Sequence, residues 1–335
     1  MRAPPRGYWA HVEVTHAHLE ELPPLALTPL RELRLDRPAG AGRGAHVASA
    51  SGVIRRGDLV YVIGDELPDL AVFHLSDPAP GRLVPALAPR DDAAGDVPRG
   101  KPDLEALTVL PPFPGARFGA LLGLGSGSAP GRDRGFAWPL RADGRLDGDP
   151  LPLDLAPLYD RLRSRVGHLN VEGVAVMGAD VWLFNRGDDP EGRNAVMRLA
   201  IDRVIAAVTG DGRLDGEDLG AVRRYELGRL DGVGLAFSDA TPLGHELIVF
   251  TASAEASGGP DPDGAIRGSV VGTLTPGGEV RRLRTIDRRW KVEGLHATVD
   301  TGVIDLLFVC DQDDPDVPSP LLSAAMPLEA AFDGG

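Results

Sequence analysis

Asn170-Val171-Glu172-Gly173-Val174 and Lys291-Val292-Glu293-Gly294-Leu295 are two copies of one short pattern, set far apart in a chain of 335 residues. Looser copies open at Ser49-Ala50-Ser51-Gly52-Val53, Asp103-Leu104-Glu105-Ala106-Leu107 and Asp231-Gly232-Val233-Gly234-Leu235. With Ser51, Glu105, Glu172, Val233 and Glu293 taken as equivalent, the pattern recurs every 54 to 67 residues. Few repeat architectures have so long a period.

Each copy is followed by a second apolar run: Leu59-Val60-Tyr61-Val62-Ile63, Ala120-Leu121-Leu122-Gly123-Leu124, Val181-Trp182-Leu183-Phe184, Glu246-Leu247-Ile248-Val249-Phe250 and Leu306-Leu307-Phe308-Val309. Each run ends in polar or small residues, then a loop rich in Gly, Pro and Asp, then a third strand. Short strands bounded by such residues, about four to a repeat, describe the blades of a β-propeller. The expected fold is all-β, a propeller of five blades, with six as the alternative. Blades start near residues 48, 101, 169, 230 and 290. The last repeat runs out after a third strand at Leu321 to Met326, and an unpaired candidate strand, Leu30 to Leu35, precedes the first. That N-terminal strand would complete the last blade and close the ring, leaving no raw sheet edge. One departure is expected near 154–166, where Leu155, Leu158, Tyr159, Leu162 and Val166 recur with helical spacing. A weaker helical candidate spans Glu217 to Arg224. The whole of 1–335 reads as one domain, with a loose N-terminal arm over 1–29.

Composition narrows the function. A single cysteine, Cys310, forms neither a disulfide framework nor a cysteine-ligated metal site, and reads as a buried small hydrophobe. The formal charge of −14, from 35 Lys and Arg against 49 Asp and Glu, argues against nucleic acid or an anionic membrane surface as the partner. No stretch approaches the length of a membrane span and the N-terminus lacks the apolar core of a signal peptide. The expected location is the cytoplasm, or outside the cell if a leader has been removed. Only Lys101 and Lys291 are lysine.

In a propeller the inner strands line the axial channel, so repeat positions converge on one mouth. Ser51, Glu105, Glu172 and Glu293 form the first set, with Val233 as a gap; Ser49, Asp103, Asn170, Asp231 and Lys291 share their side by strand alternation. The second set, from the polar ends of the second strands, contains Asp65, Glu66, Arg132, Arg134, Arg186, Asp188, Glu255, Asp311, Asp313 and Asp314. Carboxylates crowded at one level repel one another unless a cation sits between them, and hard oxygen donors suit calcium. Ser51, Glu105, Glu172 and Glu293 are therefore the candidate calcium ligands. The alternative is a repeated structural device in which each acid accepts backbone N–H groups of the next blade. Arg132, Arg134 and Arg186 are candidates for holding a small anion such as a phosphate ester. Asp311 and Asp313 are candidate bases.

Other motifs carry less. Gly123-Leu124-Gly125-Ser126-Gly127-Ser128 lacks the lysine of a phosphate loop and reads as a hairpin. There is no Gly-x-Ser-x-Gly elbow. His16-Ala17-His18, with His11, offers metal-binding chemistry but reads as surface, and Asp211 to Asp218 reads as an acidic turn. His296 has the chemistry of an acid or base, and more commonly such a residue is a satisfied core histidine.

As a set, Ser49-Ala50-Ser51-Gly52, Lys101 to Leu107, Gly125-Ser126-Gly127-Ser128, Leu169 to Gly173, Asn185-Arg186-Gly187, Phe237-Ser238-Asp239-Ala240, Phe250 to Glu255 and Lys291 to Gly294 resemble an uncharacterised bacterial family of phytase-like β-propellers, over about residues 45 to 325. The chain is more distantly similar to calcium-activated nucleotidases, five-bladed propellers with an axial calcium ringed by serine and glutamate. Ser51, Glu105, Glu172 and Glu293 match such a ring, and Val233 breaks it. These resemblances imply calcium and phosphate esters. They leave two functions open: a calcium-dependent phosphate ester hydrolase, or a non-catalytic propeller with a structural cation that binds a protein, glycan or small anion.

Overall fold

The structure, a computed structural model, describes residues 14–40, 42–88, 101–187, 193–256 and 265–332. Five antiparallel sheets follow one another along the chain. Blade 1 comprises Ala50–Arg56, Leu59–Gly64, Asp69–His74 and Arg82–Pro85; blade 2 comprises Leu104–Leu110, Ala120–Gly125, Arg134–Pro139 and Leu151–Asp154. Blade 3 is built from Val171–Met177, Asp180–Asn185, Asn194–Ala200 and Arg223–Glu226, and blade 4 from Ala236–Leu243, Leu247–Ala256, Ala265–Leu274 and Val280–Thr285. Blade 5 takes Val292–Asp300, Val303–Cys310 and Pro320–Pro327 from the end of the chain and its outermost strand, Thr28–Glu32, from the beginning. The first strand of each blade packs against those of its two neighbours, and the last against the first, so the ring is closed.

The second strands carry the most apolar runs because both of their faces are covered. Leu59–Gly64 and Ala120–Gly125 are buried at every position, so sequence alternation is lost where neighbouring blades sandwich a sheet. The apolar clusters lie between blades. One joins blades 2 and 3, another blades 3 and 4, and a third joins blades 4 and 5.

Closure rests on the N-terminal strand. Thr28 to Glu32 pairs antiparallel with Ser323 to Pro320. Arg31 reaches across to blade 1, donating to the carbonyls of Asp77 and Ala79 at 2.7 Å each and of His74 at 3.1 Å. Leu33 and Leu35 then bury themselves with Val53, Val62 and Leu321. Most positions of the described arm, 14–29, are exposed or half-buried, and it is held to the blades at two places. Val14–His16 adds a parallel strand to the outer edge of blade 3, and Leu25 and Leu27 are buried against blades 4 and 5. His11 lies outside the described residues.

The expected helix is α1, Ala156–Val166, which buries Leu158, Tyr159, Leu162 and Val166 between blades 2 and 3. Asp154 Oδ1 accepts the Ala156 N–H at 3.0 Å, one of the donors that a helix start leaves unpaired. The second helix is not where the sequence pointed. It is α2, Ile201–Thr209, burying Ile201, Val204, Ala207 and Val208 directly after a blade 3 strand. Residues 217–224 contain no helix. There Asp215 Oδ1 accepts the Glu217 N–H at 3.0 Å and Asp218 adopts φ 63°, so turn chemistry prevails over the apolar spacing. A last helical turn, α3, spans Glu329–Phe332.

Candidate functional site

Every inner strand carries a β-bulge at the same rung. The register slips between Ala50 and Gly52, Leu104 and Ala106, Val171 and Gly173, Phe237 and Asp239, and Val292 and Gly294. The residues left unpaired are therefore Ser51, Glu105, Glu172, Ser238 and Glu293. A bulge re-aims the side chain it frees. This rung corrects the sequence alignment in blade 4, where the equivalent position is Ser238 and not Val233. Val233 belongs to a small separate hairpin of Arg229–Leu230 and Val233–Gly234. Asp231-Gly232 imitates the repeat because it is that hairpin's turn, with φ 48° and 84°.

Ser238 does not join a polar cluster at the mouth. Its hydroxyl donates to Val292 O at 3.1 Å, tying blade 4 to blade 5, and lies within hydrogen-bond distance of Thr251 Oγ1 at 3.0 Å. The next residue, Asp239, performs the structural task that the sequence reading offered for the glutamates. Its carboxylate accepts the N–H groups of Ala240 and Leu295 at 2.7 Å each. Burial nonetheless raises its pKa well above the usual range.

The other bulge residues meet at the mouth, in two halves. On one side Arg186, largely buried, places Nη2 2.5 Å from Glu255 Oε2 and Nη1 3.6 Å from Glu293 Oε2 and 3.8 Å from Glu172 Oε2. Asn170 Nδ2 donates to Glu172 Oε1 at 2.7 Å. Lys291 Nζ lies 2.6 Å from Asp313, 3.4 Å from Asp311, 3.7 Å from Glu293 and 3.9 Å from Glu255. Burial alone lowers the pKa of the Lys291 ammonium, but Glu293, Asp311 and Glu255 more than reverse this, so the net shift is upward. It is a fixed charge and not a nucleophilic amine. Burial pushes the Glu293 carboxyl up to about 7 against the pull of Arg186 and Lys291.

On the other side Asp65, Asp103 and Glu105 converge, with one carboxylate oxygen from each within 4.8 Å of the others. Lys101 forms an ion pair with Asp65, whose buried Oδ1 has no hydrogen-bond partner among the described residues. Asp103 is gripped by Ser126, by Ser128 Oγ at 3.2 Å and by Arg132 Nη1 at 2.9 Å. The Gly125-to-Ser128 loop is thus a hairpin whose hydroxyls position a carboxylate. Glu105 has no ion pair among the described residues. Its pKa is raised well above the ordinary value by burial, and then by Glu172, Asp65 and Asp103, while a hydrogen bond from Ser51 opposes the shift.

All four candidate calcium ligands thus come to the mouth, but not as one ring. Glu172 and Glu293 are bridged by Arg186, whereas Glu105, with Ser51, sits beside Asp65 and Asp103. Those two aspartates were legible as mouth residues and not as partners of Glu105, because their approach depends on a turn in which Asp103 adopts φ 58°. Arg132, Arg186, Asp311 and Asp313 are each committed to an internal ion pair. Arg134 donates to the Ala88 carbonyl at 2.9 Å. Glu66 is paired with Arg43, and Asp188 lies outside the described residues.

Residues 46–326 match a family of unknown function. The chain belongs to that family, DUF6929. No curated protein matches the sequence. Among solved structures, this DUF6929 chain is similar to the catalytic domain of Coprinopsis cinerea GH62 α-L-arabinofuranosidase, at 12% identity and TM-score 0.48, covering 90% of this chain and 96% of that one. It is also similar to Myxococcus xanthus glutaminyl cyclase, at 10% identity and TM-score 0.43, covering 91% and 100%, and to Drosophila semaphorin 1a extracellular domains, at 10% identity and TM-score 0.39, covering 90% and 88%. In the DUF6929 chain no helix among the described residues is long and apolar enough to cross a membrane.

Proposed function

We propose that this DUF6929 propeller binds one calcium ion at the mouth, through Asp65, Asp103 and Glu105 with Ser51 alongside, and that the ion is structural. The observation that carries the reading is Glu105: a half-buried carboxyl with no ion pair among the described residues, whose pKa is pushed up by desolvation and by three neighbouring acids, Glu172, Asp65 and Asp103. Such a group either takes a proton or takes a cation. An all-oxygen donor set suits calcium over zinc or copper. The resemblance to calcium-activated nucleotidase propellers points the same way, with the set moved to one side of the axis.

Hydrolysis of phosphate esters at that ion is the second function implied by the resemblance. It needs free cationic groups to hold the ester and a free base. Arg132 holds Asp103, Arg186 holds three glutamates, and Asp311 and Asp313 hold Lys291, so their charges stabilise the mouth itself. These commitments favour a non-catalytic propeller over a hydrolase.

The test is a melting-temperature titration of purified protein stripped by chelator. An ion that binds only the folded state at about a hundred times its Kd adds roughly 2.7 kcal/mol. The expected result is a rise in Tm with calcium, absent in Glu105→Gln, with the stripped variant at least as stable as stripped wild type because one of the crowded like charges is gone. An unchanged Tm in wild type, or an undiminished calcium response in Glu105→Gln, overturns the reading. Calcium-dependent turnover of phosphate monoesters or nucleotides would restore the enzyme.

A further inference from the structure

Away from the mouth, an open cavity of about 390 Å³ lies between one face of blade 5 and the end of the blade 1 inner strand. That volume falls within the range of small-molecule clefts. Blade 5 contributes Thr28, His296, Thr298, Asp305 and Ser323, and blade 1 contributes Arg55. None of the mouth residues lines it.

His296 is not the satisfied core histidine that the sequence suggests. Its ring lines the cavity, both ring nitrogens are covered, and neither has a hydrogen-bond partner among the described residues. A neutral imidazole has one donor and one acceptor, and burying both unmet is costly. Rotation about Cβ–Cγ, a soft torsion, turns a nitrogen toward the cavity that the ring already borders. The ring is held neutral by burial and by Arg56 and Arg55.

Two opposite charges flank it. Arg55 donates Nε to Gly57 O at 2.8 Å and makes no ion pair among the described residues. Asp305, cross-strand partner of Thr298, is exposed and has no ion pair there either. A purely anionic ligand would face Asp305 and a purely cationic one Arg55. A ligand carrying both charges satisfies both. No Phe, Tyr or Trp lines the cavity, so it offers no platform on which a sugar or nucleobase could stack.

We propose that the cleft between blades 5 and 1 is a binding site for a small zwitterion of the α-amino-acid class, with the carboxylate on Arg55, the ammonium on Asp305 and a hydrogen bond to His296. The site is independent of the calcium reading and is tested in chelated protein. The probes are the twenty free amino acids, screened at millimolar concentration by thermal shift and measured by isothermal calorimetry, with the N-acetyl and methyl ester forms of each hit. The expected result is binding of at least one free amino acid, weakened roughly tenfold or more by either blocking group and by His296→Leu, which keeps the volume but removes the polar atoms. Arg55→Ala and Asp305→Ala, at half-buried and exposed positions, give the same loss without touching the core. Absence of any hit with wild type leaves the cavity to water and overturns the proposal, as does equal affinity in wild type and the three variants.

Discussion

Lys101 and Lys291 are the only lysines in an arginine-rich chain, and both stand at the mouth. A compact ammonium can share itself among several carboxylates, as Lys291 does with four. Lys291→Met should leave Glu293, Asp311, Asp313 and Glu255 facing one another. We expect a loss of the order of 3 kcal/mol in urea unfolding at neutral pH. Lys101 competes with the proposed calcium for Asp65, so Lys101→Gln should tighten calcium binding several-fold by calorimetry; weaker binding would mean that the ammonium orients the site. His296 supplies a pH signature. Its pKa falls from 6.5 to about 4 on folding, under burial and the charges of Arg56 and Arg55, with Asp305 the acid on the same cavity. Its contribution is complete above pH 6.5 and is lost as pH falls toward 4, because the unfolded chain takes the proton first. At pH 5 this amounts to about 2 kcal/mol. The stability of His296→Leu relative to wild type should therefore rise by about that much between pH 7.5 and pH 5, and a difference independent of pH would refute the assignment.

At the scale of elements, the close approach of inner strands explains why glycine follows the bulged rung in blades 3 and 5. A Cβ on Gly173 would lie 2.7 Å from Ala240 N and 2.9 Å from Asp239 C, and one on Gly294 would lie 2.9 Å from Gly52 Cα and from Ser51 O. These are backbone atoms of the next inner strand, which cannot swing aside as a side chain would. Gly173→Ala and Gly294→Ala should each cost about 1–3 kcal/mol, read as a lower urea midpoint with an unchanged slope. The repeated Glu-Gly of the sequence is thus two devices in one: an acid freed by the bulge, and a close approach of neighbouring blades. In blade 4 the same rung reads Ser238-Asp239, and there the carboxylate bonds the next strand's backbone.

For the molecule as a whole, stability depends on a ring that is closed non-covalently. Thr28–Glu32 covers the edge of Pro320–Pro327, Arg31 ties the last blade to the first, and Leu33 is fully buried at the seam. A chain starting at residue 34 would expose that edge, which is a template for pairing between molecules. Such a truncation should form larger assemblies than the full chain by size-exclusion chromatography and lose its cooperative melt. Elution and melting like those of the full chain would show that the seam is dispensable.

The repeat period, the apolar second strands, the closing strand and α1 could all be read from the sequence, because each depends on local periodicity and on the need to bury both faces of a blade. The mouth could be read only in outline. That Ser51, Glu105, Glu172 and Glu293 share a level follows from their place in the repeat. Which acid meets which cation does not, because Arg186 spans from blade 3 to Glu255 and Glu293 in blades 4 and 5 across the axis. Val233 was mistaken for a ring position because an Asp-Gly turn spells the same letters as a bulge, and only strand pairing separates them. α2 is harder to read, although Ile201, Val204, Ile205 and Val208 recur with helical spacing, because it follows the strand Asn194–Ala200 with no turn residue between them and its β-branched residues continue that apolar run. Sequence fixes what a strand or turn does to its own residues; the partner of a charge, the emptiness around His296 and the approach of two backbones are set by blades distant in the chain, and arise only when the ring closes.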